Sequence, residues 1–141
     1  MKFVLVASVG LCWVIPRPLS PKALQLRDDY RTSIHELIAP AHFPGEIASA
    51  LTKAERQQSI PVGDASRHIA DVLTTPPILC PLDPLFYRAV DISSQTRAGF
   101  YDCLYVALAE KENCELLTAD ARLINALQRR FSFILSLASL P

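Results

Sequence analysis

The sequence lacks a net charge, a long apolar run and a flexible linker, and each absence excludes a class of protein. Its 141 residues carry 14 basic and 14 acidic side chains, so it does not bind nucleic acid through bulk positive charge, although a local basic rim is compatible with these numbers. No apolar stretch reaches the roughly 18 residues that a membrane span requires. The chain has no segment rich in Gly or Ser, and its length predicts a single domain over residues 1–141.

The chain has few cysteines, and their spacing matches no paired cysteine motif. The four cysteines are Cys12, Cys80, Cys103 and Cys114, and no two of them form a C-x-x-C pair. This excludes a zinc ribbon or a thioredoxin-type motif as the basis of function. The simplest interpretation is a reduced protein of the cytoplasm with small buried thiols, although an oxidised pair stays open at this point.

The N-terminal segment has two interpretations. Lys2 followed by the apolar run from Phe3 to Ile15 resembles a short signal peptide, but no A-x-A-like site follows and Pro16 comes directly after. The alternative is a buried strand over 2–6, a turn at Ala7 and Ser8 and a short helix to residue 14. The consecutive apolar residues of that strand are typical of a parallel sheet covered on both faces, and we favour this interpretation.

Predicted strands alternate with predicted helices along the rest of the chain. This alternation predicts an α/β fold of three layers, α/β/α, with a central, mainly parallel sheet. The further strands are expected at 36–39, 78–80, 115–118 and 131–137, and the helices at 20–30, 42–57, 61–73, 84–93, 100–111 and 121–128.

Three carboxylates lie where a parallel sheet forms its sites, beyond the carboxyl ends of the strands. Asp120 follows the strand ending at Thr118, Asp102 lies in the first turn of the helix at Phe100, and Glu46 lies near the start of the helix after the second strand. Taken singly, each has an ordinary structural explanation, as a helix cap or as an acid near the positive end of a helix dipole.

Together the three acids predict a metal site. Carboxylates crowded into one space repel each other, and their pKa values rise unless a cation neutralises them. A hard divalent cation such as Mg²⁺ or Mn²⁺ prefers oxygen ligands and keeps several waters. Such a centre suits hydrolysis of a phosphodiester by an activated water.

Four segments of the chain, in order, resemble the PIN-domain family, and most closely the VapC toxins of type II toxin–antitoxin pairs. The most specific likeness runs from Tyr101 to Ala109 and from Leu116 to Leu123. Looser likeness covers Phe3 to Val9 and the block from Phe43 to Leu51 that contains Glu46, preceded by Pro40.

The resemblance implies a metal-dependent endoribonuclease with a PIN-like fold, using Mg²⁺ or Mn²⁺. The acids of the family fall on Glu46, Asp102 and Asp120, and its supporting Ser and Thr fall on Ser8 and Thr118. The resemblance also implies an RNA substrate, a cognate antitoxin protein and a homodimer.

One position departs from the family. Its first strand normally ends in an aspartate that binds the metal, and the matching residue here is Val6, which cannot ligate a cation. Three accounts stay open: a degenerate PIN domain that only binds an antitoxin or RNA, a looser metal site built from the remaining acids, or a single-base change. Gly10 also occupies a position where a larger residue is expected, and glycine in a helix costs roughly 0.5–1 kcal/mol relative to alanine.

Several side chains are candidates for contact with RNA. Arg122 is the best placed of the arginines and Tyr101 borders Asp102. Trp13 and Tyr105 are weaker candidates for base stacking, because Tyr105 lies on an apolar helical stripe. The three histidines are expected to be structural or superficial. The wider set of arginines considered for a phosphate-binding rim is Arg17, Arg56, Arg97, Arg122, Arg129 and Arg130.

Overall fold

A computed structural model describes residues 1–141 as alternating strands and helices. In chain order the elements are β1 (Lys2–Leu5), α1 (Ala7–Leu11), α2 (Ser20–Arg31), β2 (Glu36–Pro40), α3 (Phe43–Arg56), α4 (Asp64–Val72), β3 (Ile78–Cys80), a 3₁₀ turn (Asp83–Leu85), α5 (Phe86–Thr96), α6 (Phe100–Glu112), β4 (Glu115–Thr118), α7 (Ala121–Leu127), β5 (Ile134–Ser136) and a final 3₁₀ turn (Leu137–Ser139).

The five strands form one sheet in the order β3-β2-β1-β4-β5, and every neighbouring pair is parallel. Val4 of β1 pairs with Ile38 of β2 on one side and with Leu116 of β4 on the other. Because β1 is the central strand and Phe3 to Leu5 are buried, the strand interpretation of the N-terminal segment is confirmed. The helices flank the sheet, so the predicted α/β/α architecture is confirmed as well.

The strongest packing element is α6. Seven consecutive residues of this helix, from Cys103 to Ala109, are buried, which is the pattern of a helix enclosed on all sides. The helix begins after Gly99 and carries Asp102 in its first turn. Because the body of α6 is fixed inside the core, the position of Asp102 at its exposed end is fixed with it.

Some predicted details are wrong. Ser20 before Pro21 is the pattern of a cap followed by the first helical residue, but Ser20 is itself the first residue of α2, and its hydroxyl accepts from the Arg17 N–H and donates to the Ile15 carbonyl. The last strand is shorter than the predicted 131–137, because Phe131 lies in the turn before it. The helix predicted over 61–73 ends at Val72, and Leu73 after it is exposed.

Trp13 is a structural residue and is not available to stack on RNA. Its side chain is buried, and its indole N–H donates to the Ala23 carbonyl at 2.9 Å. The buried guanidinium of Arg27 lies 4.7 Å from the indole ring and donates in turn to Asp71 and Thr75. This group ties the segment after α1 to α2 and to the end of α4.

All four cysteines are free thiols in the structure. Burial raises the pKa of the Cys103 thiol to about 11. A thiol of that pKa stays protonated at neutral pH and is a weak nucleophile. No helix in the chain is both long and apolar enough to cross a membrane.

Gly10 brings two helices close together at the edge of the site. A Cβ atom at this position would lie 3.0 Å from Phe43 Cζ and 3.0 Å from Ile47 Cδ1. Both neighbours are buried residues of α3, the helix that carries Glu46. The glycine therefore permits the close approach of α1 to α3, which explains why a larger residue is absent.

We expect Gly10→Leu to lower the free energy of unfolding by about 1–3 kcal/mol, because the new side chain overpacks the contact between α1 and α3. Gly45→Leu is the matched control: nothing lies within 4 Å of a Cβ at that helical position. It should leave stability unchanged or raise it by up to about 1 kcal/mol through helix propensity. Urea denaturation measures both, and equal effects at the two sites would contradict the packing argument.

Candidate active site

The strand order creates a crevice at one edge of the sheet. From β1 the chain goes to β2 and β3 on one side, whereas β4 and β5 lie on the other side. The carboxyl ends of β1 and β4 are therefore the topological switch point at which open α/β sheets bind ligands. Here Val6 and Ser8 follow β1. Thr118 is the last residue of β4, and Asp120 follows that strand.

Ser8 and Thr118 join the two strand ends by hydrogen bonds. Their hydroxyl oxygens lie 3.2 Å apart, with Thr118 fully buried. Ser8 Oγ also accepts from the Ala119 N–H at 3.0 Å, and Thr118 Oγ1 accepts from the Asp120 N–H at 3.0 Å. These bonds orient the backbone that presents Asp120.

Asp120 is a helix cap as well as a candidate site residue. One carboxylate oxygen accepts from the Arg122 N–H at 2.9 Å and so caps α7. The guanidinium of Arg122 lies 3.6 Å from the same oxygen, but its side chain is 94% exposed. A helix-capping role, the ordinary structural explanation of Asp120, is thus correct for one carboxylate oxygen. The carboxylate nevertheless lies at the switch point.

The three predicted acids lie close enough to influence one another. Burial raises the pKa of Asp102 above its ordinary value, and the negative charges of Glu46 and Asp120 raise it further. Arg122 and His42 act in the opposite direction without cancelling the effect. Asp102 therefore lies within the electrostatic influence of Glu46 and Asp120 at this edge of the sheet.

Glu46 belongs to a buried polar group that sequence reasoning missed. Burial raises its pKa, but the proximity of His42 and Tyr105 outweighs burial, so the pKa of Glu46 is below its ordinary value. His42 Nε2 lies 3.0 Å from Glu46 Oε1, yet neither atom has a hydrogen bond of acceptable geometry. The hydroxyl of the fully buried Tyr105 also lacks a partner.

His42 was expected to be structural or superficial, and the structure gives it a packing role beside Glu46. Its ring packs 4.8 Å from Tyr105 and 5.5 Å from Tyr101, so it is a packing residue as predicted. It also precedes Glu46 by four residues, a spacing that places two side chains on one helical face. That spacing is the signal in the sequence that links the two.

Val6 occupies the end of β1 and is 6% exposed. Its N–H donates to the Leu117 carbonyl at 3.2 Å, which fixes the residue beside the end of β4. The side chain adds apolar bulk where the family carries a carboxylate. The charge at the site therefore comes from Glu46, Asp102 and Asp120.

The donor set fits a hard divalent cation in charge and ligand type. It consists of carboxylates whose mutual repulsion a cation would relieve, and Glu46 Oε1 is a buried acceptor without a partner. No three Asp, Glu, His or Cys side chains lie close enough together to coordinate one ion. This is compatible with Mg²⁺, which is usually held by one or two carboxylates and keeps several waters.

Comparison with known proteins identifies the class. The family model of the PIN domain matches residues 3–127, and the chain belongs to this family. Among curated proteins, it is 34% identical over 96 residues to ribonuclease VapC3 of Mycobacterium tuberculosis, an alignment that covers 68% of this chain and 66% of VapC3. It is 36% identical over 87 residues to ribonuclease VapC9 of the same species, covering 62% of this chain and 67% of VapC9.

The VapC resemblance is thus confirmed, although the alignment spans slightly less than two thirds of VapC3. Solved structures agree on the fold. PAE2754 from Pyrobaculum aerophilum superposes with a TM-score of 0.72 at 20% identity, covering 99% of this chain and 85% of that one. VapC20 of M. tuberculosis, a toxin that cleaves the sarcin-ricin loop, superposes with a TM-score of 0.61 at 16% identity, covering 89% and 95%.

We expect Asp102→Asn to raise the melting temperature at neutral pH in EDTA by a few degrees. The folded-state pKa of Asp102 is raised, so ionisation of this group costs stability above that pKa and costs nothing below the unfolded value. The advantage of the variant should therefore disappear as the pH falls through the ordinary range of a carboxyl group.

The control is Asp91→Asn on α5, where the carboxylate is exposed and pairs with Arg88. This variant should be no more stable than the unaltered protein, since it removes an attraction. Thermal unfolding across the pH range measures both, and an Asp102→Asn protein that is less stable at neutral pH would contradict crowding of charge.

Val6→Asp should lower the melting temperature in EDTA, because it adds a negative charge at a buried position beside three acids. Val6→Asn introduces similar polarity without charge and is the matched control. A cost of 1–3 kcal/mol, roughly that of burying an unpaired polar group, is expected for Asn, with a larger loss for Asp. If Asp is tolerated as well as Asn, repulsion at this position is refuted.

Proposed function

We propose that the chain is a metal-dependent endoribonuclease and the toxin component of a type II toxin–antitoxin pair. The observation that carries the proposal is the placement of Glu46, Asp102 and Asp120 around the switch point, where burial and then the charges of Glu46 and Asp120 raise the pKa of Asp102. Membership of the PIN family and likeness to VapC ribonucleases support it.

In this proposal, Glu46, Asp102 and Asp120 form the metal site: one or two of these carboxylates would ligate Mg²⁺ or Mn²⁺ directly, and the rest would act through waters that the cation keeps, including the attacking water. When bound, the cation lowers the pKa of water and offsets negative charge on the scissile phosphate. Hydrolysis joins the water oxygen to phosphorus and breaks one P–O ester bond of the RNA. Ser8 and Thr118 are supporting residues that hold the backbone before Asp120 in place.

Arg122 and Tyr101 are the proposed contacts to RNA at the edge of the acids. Arg122 is almost fully exposed and adjoins Asp120, so its guanidinium is free to meet a phosphate. Tyr101 is 59% exposed, and its ring lies between Phe100 and His42. An exposed aromatic held on one side by packing is suited to stacking on a base.

The proposed partners are a cognate antitoxin and a second copy of the chain. Both proposals rest on the likeness to VapC proteins, one of which is seen as the VapBC2 complex of Rickettsia felis. Phe86, Tyr87 and Val90 add an exposed apolar surface on α5. Contiguous exposed apolar residues are typical of protein interfaces.

A catalytically degenerate PIN domain is the second candidate function. Val6 specifically favours it, because an apolar residue with 6% exposure replaces the first acidic ligand. Loss of even an outer-shell partner typically costs about 10–100-fold in metal affinity or activity. In this alternative the domain only binds an antitoxin or RNA.

Cleavage of RNA by three proteins distinguishes the two candidates: the unaltered chain, Val6→Asp and Asp102→Asn. Each is incubated with ribosomal and transfer RNA in Mg²⁺, in Mn²⁺ and in EDTA. We expect cleavage by the unaltered chain in metal only, a gain in Val6→Asp, and a loss of at least about 10–100-fold in Asp102→Asn.

The other outcomes are equally informative. Cleavage by Val6→Asp alone would mean that this chain is an inactive copy and that its role is binding. Calorimetry with Mg²⁺ accompanies the assay, so that the lack of a suitable RNA substrate is distinguished from the lack of a metal site. If none of the three proteins cleaves RNA and none binds Mg²⁺, the metal-dependent nuclease is refuted.

A further inference from the structure

We propose that a groove beside Asp120 binds the RNA strand on one side of the cleavage site, and that Arg17 and Lys53 contact its phosphates there. This inference rests on the proposed ribonuclease function, since it assigns the path of the substrate beyond the acids. The two proposed contacts, Arg17 and Lys53, lie outside the four segments that resemble the family.

The groove has a volume of about 680 Å³ and begins at the acidic site. Ser8, Ala119 and Asp120 form its inner end, so the switch point opens directly into it. From there it runs between α1 and its following loop on one side and the second half of α3 on the other. A cavity of this size falls in the range that holds small ligands or parts of larger ones.

One face of α3 connects the acids to the groove. Ala50 and Lys53 follow Glu46 by four and seven residues, the spacing of side chains on one helical face. Both line the groove, and at 1.5 Å per residue Lys53 lies about 10 Å further along the helix than Glu46. A strand whose scissile phosphate lies at the acids therefore extends along this face of α3.

The charge of the groove changes sign with distance from the acids. Asp120 is its single acidic lining residue, whereas Arg17, Lys53 and Arg122 are basic. Arg17 and Lys53 are exposed, and neither makes an ion pair with an acid of the chain. In a chain with no net charge, this local excess of cations is complementary to a polyanion.

The floor between these cations is apolar. It is lined by Leu11, Ile15, Leu19 and Ala54. An apolar floor beneath a basic rim suits a nucleotide, whose base has an apolar face and whose phosphate is anionic. A helix of a protein partner would also bury this floor, but it would leave Arg17 and Lys53 without anionic partners unless it were acidic.

The test is binding of a short, labelled, single-stranded oligoribonucleotide in EDTA, measured by fluorescence anisotropy from about 50 to 200 mM salt. The variants are Arg17→Gln, Lys53→Gln and the two combined. Arg56→Gln is the matched control, since Arg56 lies on the same helix, is exposed and does not line the groove. All three altered positions are at the surface, so folding should be unaffected, and thermal unfolding verifies this.

Each groove variant should weaken binding at low salt by about threefold or more and reduce the slope of log K against log salt by about 0.7, the value for one phosphate contact to a single strand. The double variant should reduce the slope of log K against log salt by about 1.4. Arg56→Gln should bind as the unaltered protein does.

Three results would overturn the proposal: no binding by the unaltered protein, unchanged binding by the groove variants, or equal weakening by Arg56→Gln. Unchanged binding would favour a protein partner as the occupant of the groove. The result is independent of hydrolysis. Groove-dependent binding of RNA by a protein that neither cleaves RNA nor binds Mg²⁺ would leave the groove assignment intact and refute the nuclease. Cleavage with unaffected groove variants would do the reverse.

Discussion

Parallel pairing on both sides of β1 is the constraint on which the rest of the structure depends. The strand pairs with β2 on one side and with β4 on the other, so earlier and later strands lie on opposite sides of it and a crevice opens at the carboxyl ends. The same pairing places Phe3 to Leu5 of β1 in the buried centre of the sheet, which requires the apolar run near the N-terminus. One strand thus supplies both the centre of the core and the location of the site.

The site itself opposes folding. Burial and the charges of Glu46 and Asp120 raise the pKa of Asp102, so ionised Asp102 costs stability and the surrounding elements must hold it in place. The buried body of α6 fixes Asp102, the close contact at Gly10 fixes α3, and the hydroxyls of Ser8 and Thr118 fix the loop before Asp120. Val6 adds no charge to this group, and we expect this to favour the fold at the expense of the proposed metal site.

The electrostatics of the molecule are local. A chain with equal numbers of acids and bases concentrates negative charge at the switch point and positive charge in the adjoining groove. This arrangement is suited to a substrate that needs a cation at one phosphate and direct basic contacts at the next ones. It also explains why composition alone excludes a polybasic protein without excluding a nuclease.

The sequence by itself determined the alternation of strands and helices, the helix that begins at Phe100 and the position of three acids near the starts of helices, because these depend on local periodicity and on the position of a residue relative to its own element. Contacts between distant segments required the tertiary structure. The ring of Tyr105 lies 4.8 Å from that of His42 although the two residues belong to separate helical segments, and Trp13 is buried only because Ala23 and Arg27 meet it. Likewise, Arg17 and Lys53 share a groove only because α1 packs on α3, and no local pattern encodes that juxtaposition.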